Sequence, residues 1–275
     1  MSLGRPASTR RAAGAVVASR RPEAIVRVEG LTKRYGSAAP ALVDVSFSIE
    51  PGEFVAVLGP SGAGKTTLFR CLTGLTHPDA GSVSVRGQDI YRIRGRALRA
   101  ARQEIALIFQ QFNMVRRLTA HHNVLAGRLA AVSTWRVLVG RFARSDRQRA
   151  LACLDAVGLL DRAYARADQL SGGQQQRVAI ARALAQEATV LLADEPVASL
   201  DPESASVVLE TLHPVARTGV AVVASMHQVH LVTSYADRII ALRAGRVVED
   251  APADRGDAQA LEQIYARDAP VGSPA

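Results

Sequence analysis

The sequence predicts an α/β fold with a mostly parallel β-sheet, an antiparallel β subdomain and an inserted α-helical subdomain. Three observations lead to this prediction. Apolar runs of strand length alternate with segments of helical length in the second half of the chain, which is typical of a parallel sheet. Apolar and polar residues alternate over 43–49, which indicates a half-buried strand of an antiparallel sheet. Between these regions, residues 111–170 have a mostly helical pattern.

In the first half of the chain, we expect ordered structure to begin near Ile25. A turn at Pro51 and Gly52 ends the alternating strand, and the apolar run that follows predicts a strand buried on both faces. The elements predicted after this turn are that strand over 54–58, a helix over 64–75, a short strand at Val83 and Val85, and a buried strand over 105–109.

The second half of the chain supplies the other parallel strands and the helices that connect them. The predicted elements are a helix over 172–185, a strand over 189–193, a helix over 202–217, a strand over 220–224, a helix over 229–235 and a strand over 238–242. A turn at Ala244 and Gly245 then leads into an antiparallel hairpin. We therefore expect one globular domain over 23–255, with a helical subdomain at about 111–170, and a C-terminal helix and tail over 256–275.

The chain is basic, with 34 Lys and Arg against 25 Asp and Glu and a formal net charge of +9 among its 275 residues. Nucleic acid, an anionic membrane surface and polyphosphate ligands all suit such a charge. Residues 1–22 contain arginines and no acidic residue, and we expect them to form a disordered basic tail. Weak contact of this tail with anionic lipid is the alternative interpretation.

No apolar run approaches the ~18 residues that a membrane-spanning helix needs. A function at a membrane would therefore require another subunit to supply the spanning helices. Cys71 and Cys153 lie far apart in the sequence, which argues against a disulfide scaffold and fits a reducing compartment. We expect both cysteines to be small core residues.

A phosphate-binding loop is the most specific motif in the first half of the chain. The pattern GxxxxGK[ST] is matched by Gly59, Pro60, Ser61, Gly62, Ala63, Gly64, Lys65 and Thr66. A buried strand leads into the loop and a helix leads out, so backbone N–H groups and the helix N-terminus can converge on phosphate oxygens. Lys65 can reach the β- and γ-phosphates, Thr66 can bind Mg²⁺, and Thr67 can contact a further phosphate.

Two carboxylates follow the apolar strand over 189–193, at the sheet edge where α/β proteins bind ligands. We expect Asp194 to hold Mg²⁺ through water and Glu195 to orient and deprotonate an attacking water molecule. Together with the phosphate loop, these residues predict a P-loop nucleotide hydrolase. That class still includes kinases, GTPases, helicases and transport motors.

A second helix start indicates which kind of P-loop nucleotide hydrolase the sequence resembles. It consists of Leu170, Ser171, Gly172, Gly173 and Gln174, in which Ser171 is a good N-cap and the glycines permit close backbone approach. This LSGGQ segment resembles the signature of the ATP-binding cassette (ABC) family, and the resemblance extends over about residues 25–250. It implies that the domain over 23–255 is an ABC ATPase that uses ATP and Mg²⁺.

The resemblance also implies roles for single residues. Tyr35 resembles the aromatic residue that stacks on adenine, although an ordinary surface aromatic is the alternative. Gln110 resembles the glutamine that senses Mg²⁺ and the attacking water, and His227 resembles the switch histidine that contacts the γ-phosphate. Residues 198–201 resemble the loop that communicates between two monomers, while helix capping is the simpler interpretation of Ser199 and Asp201.

The same family resemblance implies partners and a location. Two copies of the chain are expected to pair head to tail, so that residues 171–174 of one copy complete the phosphate site of the other. ATP would close this dimer and hydrolysis would reopen it. Transmembrane permease subunits are the expected direct partners, and a periplasmic substrate-binding protein is an indirect one. The expected location is peripheral, at the cytoplasmic face of the cell membrane.

The cargo is indicated by weaker similarities. Residues 110–119 and 123–129, together with Trp135, resemble phosphonate-import ATPases. Paired histidines at His121 and His122 depart from that pattern, and we expect them to lie on a solvated helix edge. Phosphate, phosphite or another small oxyanion stays open as cargo, as does an ABC-type subunit of a soluble phosphonate-degrading complex. A nucleic-acid partner is not expected, because the chain has one cassette and no aromatic-rich basic patch.

Overall fold

The computed structural model describes residues 23–37, 39–109, 113–133, 135–136, 140–198, 200–227 and 229–253. The predicted basic tail and the predicted C-terminal helix therefore lie outside the described residues, as do Gln110 and Ser199. Across the described ranges, no helix is both long enough and apolar enough to cross a bilayer.

The strands and helices alternate largely as predicted. The strands are β1 (Val26–Lys33), β2 (Leu42–Ile49), β3 (Phe54–Leu58), β4 (Ala80–Val85), β5 (Gln88–Asp89), β6 (Ile105–Ile108), β7 (Val190–Ala193), β8 (Ala221–Met226), β9 (Arg238–Arg243) and β10 (Arg246–Pro252). The helices are α1 (Lys65–Leu72), α2 (Gly95–Gln103), α3 (Ala120–Leu125), α4 (Arg144–Ala156), α5 (Gly172–Ala185), α6 (Pro202–Arg217) and α7 (Val229–Tyr235).

The strands form two sheets. The larger has the order β10-β9-β3-β8-β7-β6, and only the β10–β9 pair among its described strands is antiparallel. The smaller sheet has the order β2-β1-β4-β5 and is antiparallel. The predicted fold class, a mostly parallel sheet with an antiparallel subdomain beside it, is confirmed.

The alternation of side chains along β3 divides the interior into two cores. Val55 and Val57 pack toward α1 and the antiparallel sheet. Phe54, Ala56 and Leu58 pack on the opposite face, toward α5 and α6. All five residues are fully buried, which explains why this strand is apolar throughout.

The helical segment is less regular than predicted. Helices α3 and α4 pack on α5, but single 3₁₀ turns occupy Ala126–Arg128, Leu160–Arg162 and Ala167–Gln169. The sequence predicts that both paired histidines lie on a solvated helix edge, and this prediction is wrong for His121. His122 is exposed, whereas His121 is buried with its ring centroid 5.8 Å from that of Tyr164.

Three other details differ from the sequence prediction. Helix α1 ends at Leu72, because Gly74 has a φ of +68° and the Thr73 hydroxyl donates to the Phe69 carbonyl. Helix α2 and strand β1 were not predicted. Only Ala101 of α2 is buried, and Gly30 interrupts β1 with a φ of +59°, so neither sequence has a clear period.

Candidate functional site

The predicted phosphate loop joins β3 to α1 at the carboxyl edge of the main sheet. A Cβ on Gly59 would lie 2.4 Å from the Leu242 carbonyl oxygen, and one on Gly64 would lie 2.4 Å from the Ala41 carbonyl oxygen. Both glycines also have positive φ. At Gly62, by contrast, a Cβ would meet no atom of the described residues within 4 Å. The loop is therefore packed tightly against its neighbours at both ends and open at its centre, which is the shape a ligand cradle requires.

Lys65 lies inside this loop with only 5% of its surface exposed. Its Nζ donates to the Gly59 carbonyl at 2.7 Å and to the Pro60 carbonyl at 3.1 Å. Burial lowers the pKa of Lys65, while the nearby carboxylates of Glu195 and Asp194 act in the opposite direction. The site thus holds a desolvated ammonium group that an anionic ligand would stabilise.

Asp194 and Glu195 follow β7, and a serine on the neighbouring strand β8 holds them both. The fully buried Ser225 hydroxyl accepts a hydrogen bond from the Glu195 backbone N–H at 2.7 Å and donates one to Asp194 Oδ1 at 2.9 Å. Sequence reasoning assigned no role to Ser225. Its position in the sequence could have indicated this role. The parallel register pairs Ala193 with Ala224, which places Asp194 beside Ser225.

Asp194 is the best candidate for holding a metal ion. Burial raises its pKa, which hydrogen bonds from Ser225 and Thr66 oppose. The Thr66 contact connects the phosphate loop to the end of β7. A partly desolvated carboxylate beside a hydroxyl is the type of hard-oxygen environment that Mg²⁺ prefers. The described residues therefore fit the predicted metal, and Gln110, the third predicted metal ligand, lies outside them.

Glu195 and His227 are in direct contact. His227 Nε2 lies 2.6 Å from Glu195 Oε1, with exposed side-chain fractions of 33% and 19%. Glu195 has a φ of +51°, a left-handed conformation that is uncommon outside glycine. The Ser225 hydrogen bond to its backbone helps to hold that conformation. The structure thus places the predicted base and the predicted switch histidine together at the mouth of the site.

Tyr35 lies on the segment that follows β1, with 44% of its surface exposed. The Lys33 ammonium sits 5.5 Å from the centre of its ring. Asp79 anchors this segment by accepting from the Arg34 backbone N–H at 2.6 Å and from Lys33 Nζ at 3.1 Å. Those hydrogen bonds lower the pKa of Asp79. Asp79 is a second supporting residue that the sequence did not reveal, because 45 positions separate it from Arg34.

The LSGGQ segment begins α5 with a reciprocal capping box. Ser171 accepts from the Gln174 backbone N–H at 3.3 Å, and the Gln174 side chain accepts from the Ser171 backbone N–H at 3.0 Å. Ser171 and Gly172 are exposed. A Cβ on Gly173 would lie 3.2 Å from Ser204 Oγ at the start of α6. The structure therefore gathers the phosphate loop, the two carboxylates and His227 into one site, while residues 171–174 present a second helix start to solvent.

Comparison with known proteins identifies relatives over most of the chain. The sequence model of the family described as ABC transporter matches residues 42–198. The Phosphonates import ATP-binding protein PhnC of Lactococcus lactis subsp. lactis (strain IL1403) is 42% identical over 89% of this chain and 100% of that protein. A PhnC 1 protein of Rhodopseudomonas palustris (strain ATCC BAA-98 / CGA009) is 48% identical over 86% of this chain and 88% of that protein.

One further sequence relative has a different cargo in its name, and two solved structures have a similar fold. The Hypophosphite import ATP-binding protein HtxD of Stutzerimonas stutzeri is 47% identical over 88% of this chain and 72% of that protein. An ATP-binding cassette solved as a dimer with ADP and Pi has a TM-score of 0.72 and 34% identity, covering 83% of this chain and 98% of that one. The cbiO1 protein from Clostridium perfringens, part of the ABC transporter complex cbiONQ, has a TM-score of 0.75 and 27% identity, covering 89% of this chain and 95% of that one.

Proposed function

The chain belongs to the ABC transporter family, and we propose that it is the ATP-hydrolysing subunit of an importer that takes up phosphonates. One observation carries the proposal. Lys65, the two carboxylates Asp194 and Glu195, and His227 lie together in a chain that is 42–48% identical, over most of its length, to phosphonate-import ATP-binding proteins.

We assign nucleotide binding to four groups of residues. The backbone of the phosphate loop and the Thr67 hydroxyl hold the phosphates, and Lys65 neutralises their charge. The exposed ring of Tyr35 stacks on adenine. Thr66, Gln110 and Asp194 would hold Mg²⁺, whose charge would stabilise the phosphate oxygens of the transition state.

Hydrolysis is assigned to Glu195, His227 and Gln110. Glu195 accepts a proton from the attacking water, while Gln110 helps to orient that water. His227 already contacts the Glu195 carboxylate at 2.6 Å and would extend the same network to the γ-phosphate. Ser225 fixes the Glu195 backbone, so the carboxylate is positioned before the substrate binds. Positioning and charge neutralisation account for catalysis in this proposal.

Two copies are needed to complete each site. The exposed N-terminus of α5, with Ser171, Gly172, Gly173 and Gln174, offers backbone N–H groups to the nucleotide held by a second copy. Two solved relatives at 34% identity are dimeric cassettes, which supports this pairing. The dimer would work at the cytoplasmic face of the cell membrane, bound to permease subunits and, through them, to a periplasmic binding protein.

The experiment that tests this function combines co-purification with growth. A tagged copy of the chain should isolate a membrane permease from detergent extracts, and deletion of its gene should abolish growth on methylphosphonate as the sole phosphorus source. Isolation of soluble phosphonate-degrading enzymes instead would favour the alternative of a soluble complex. Growth of the deletion strain at the normal rate would contradict phosphonate uptake.

A second candidate cargo is a smaller phosphorus oxyanion. The 47% identity to a hypophosphite-import ATP-binding protein favours it, because that relative is as similar as several phosphonate relatives. Growth of the same deletion strain on hypophosphite, on phosphite and on phosphate distinguishes these cargoes. Loss of growth on hypophosphite alone would replace phosphonate with this smaller anion.

A further inference from the structure

A cleft of about 740 Å³ lies in the helical segment between α3 and α4, outside the nucleotide site described above. Its wall combines aromatic and cationic side chains, namely Trp135, Phe142, Arg136, Arg141, Arg144 and Arg147. A basic patch with aromatic residues is not predicted from the sequence, and the structure forms one here. None of the described residues that line it is acidic. Nothing in ATP hydrolysis accounts for four guanidinium groups around one cleft, because the phosphate site already has Lys65.

The cleft arginines have no carboxylate partners among the described residues, and all four are exposed. The neighbouring carboxylates are already occupied. Arg128 pairs with Asp146 at 3.1 Å and with Glu187 at 2.6 Å, and Glu187 also receives Arg149 at 3.0 Å. The cleft therefore has an uncompensated positive potential, which an anionic ligand would satisfy.

The aromatic residues show what kind of anion fits. Trp135 is 70% exposed, an unusual position for the largest side chain, and Phe142 lies half-buried in the same cleft. A small soluble anion would need the arginines but not an exposed indole. Tryptophan and arginine together are instead typical of surfaces that meet the headgroup layer of a membrane.

We infer that this cleft binds the phosphate groups of anionic phospholipids, with Trp135 inserted at the headgroup level, so that the helical segment touches the membrane surface directly. The ligand chemistry is a phosphate monoanion, and the source is the bilayer rather than a soluble phosphate. The contact goes beyond ATP hydrolysis, because it gives the chain its own attachment to the membrane in addition to any permease.

Vesicle binding by the full-length chain tests this inference, with Trp135 as a local reporter because it is the only tryptophan of the chain. Vesicles of phosphatidylcholine mixed with phosphatidylglycerol in about equal parts should bind the protein and shift its fluorescence emission to shorter wavelength. Vesicles of phosphatidylcholine alone should not. Each arginine at an anionic surface contributes about fivefold to the partition coefficient, so the double variant Arg141→Gln and Arg144→Gln should lower it about 30-fold.

A matched pair of arginines controls for overall charge and for the basic tail. Arg96→Gln and Arg99→Gln remove two exposed charges from α2, outside the cleft, and should change the partition coefficient less than about threefold. Equal losses in the two double variants would overturn the inference. ATP turnover should be normal in both, so a failure of lipid binding is separate from a failure of the proposed ATPase function.

Two other results would assign the cleft to a different ligand and reject the membrane. Millimolar inorganic phosphate could shift the Trp135 emission in the absence of vesicles, with the effect lost in the Arg141 and Arg144 variant. That result would make the ligand a soluble anion. Alternatively, the emission could be unchanged by vesicles but shift when the permease is added in detergent, which would make the cleft a protein interface. Trp135→Ala should weaken vesicle binding without changing its dependence on salt, because the arginines remain.

Discussion

Replacing Ser225 with alanine tests directly whether its hydroxyl positions Asp194 and Glu195. The substitution removes one oxygen that makes two hydrogen bonds, to the Glu195 backbone at 2.7 Å and to Asp194 at 2.9 Å. The residue is fully buried, so water cannot replace the lost hydroxyl without a rearrangement. Because the side chain is fully buried and both of its hydrogen bonds go to Asp194 and Glu195, Ser225 acts as a positioning residue.

The expected loss of stability follows from these two bonds. A neutral hydrogen bond contributes about 1 kcal/mol and one to a carboxylate about 2 kcal/mol, so the free energy of unfolding should fall by about 3 kcal/mol. For a domain of this size, that corresponds to a melting temperature lower by roughly 6–12 °C. If the freed Glu195 carboxylate is misplaced in most molecules, kcat should fall by about tenfold or more, while KM for ATP changes little.

The stability loss should also depend on pH. Burial raises the pKa of Asp194 above its ordinary value of 3.8, and the Ser225 hydrogen bond opposes that rise. Ionisation of Asp194 therefore costs stability as pH rises through its folded pKa, and the cost is greater in the variant, where the pKa is raised further. The difference between variant and wild type should be larger at pH 7 than near pH 4, measured in nucleotide-free and magnesium-free protein.

Thermal unfolding and steady-state ATP hydrolysis measure these quantities directly. The matched control is Ser145→Ala, the same chemical change at an exposed position of α4. If Ser225→Ala unfolds within about 1 °C of wild type and turns over ATP at the normal rate, then the two hydrogen bonds do not position Glu195. A loss of stability with no loss of kcat would limit Ser225 to a structural role.

Four further changes give distinct expected results. Lys65→Ala should abolish ATP hydrolysis, because the ammonium group that would neutralise the phosphates is lost; normal turnover would remove the phosphate-loop assignment. Glu195→Gln should retain ATP and accumulate as a dimer on size exclusion, and hydrolysis at the wild-type rate would show that Glu195 is not the base. Gly127→Ala should lower the free energy of unfolding by about 3 kcal/mol or more in a denaturant titration, since a Cβ there would lie 2.2 Å from the Arg182 carbonyl oxygen; a cost under about 1 kcal/mol would mean that α5 can shift. Deletion of residues 1–22 should leave ATP turnover within about twofold of the full chain, and a larger loss would reveal a function of the tail.

Elements with a strong period or a clear cap could be predicted from the sequence. The helix over 172–185 has the same bounds in the structure because Ser171 caps it, and the helix over 202–217 begins at Pro202 behind the Asp201 cap. The strand over 54–58 could be predicted because both of its faces are buried. Helix α2 could not, since it packs with only Ala101 buried and so lacks an apolar stripe.

The candidate site also contains some residues that the sequence predicts and others that it does not. The predicted phosphate loop and the strand ends beside it have local sequence patterns, and the structure places Lys65, Asp194, Glu195 and His227 together. The supporting residues have no local pattern. Ser225 acts across a strand pair and Asp79 acts on a segment far away in the chain, so their roles depend on tertiary contacts that single-sequence reasoning does not provide. Gln110 stays a prediction because it lies outside the described residues.

The pKa values of Lys65 and Asp194 are shifted by the same cause, which is burial. Burial lowers the pKa of Lys65 and raises that of Asp194, so both side chains are held where their charged forms are disfavoured. A phosphate beside Lys65 and a divalent cation beside Asp194 would each remove part of that cost. Because the two groups also act on each other, we expect the nucleotide and the metal to bind more tightly together than separately. Because hydrogen bonds already hold Asp194 and Glu195 in place, these groups would need little reorganisation during hydrolysis.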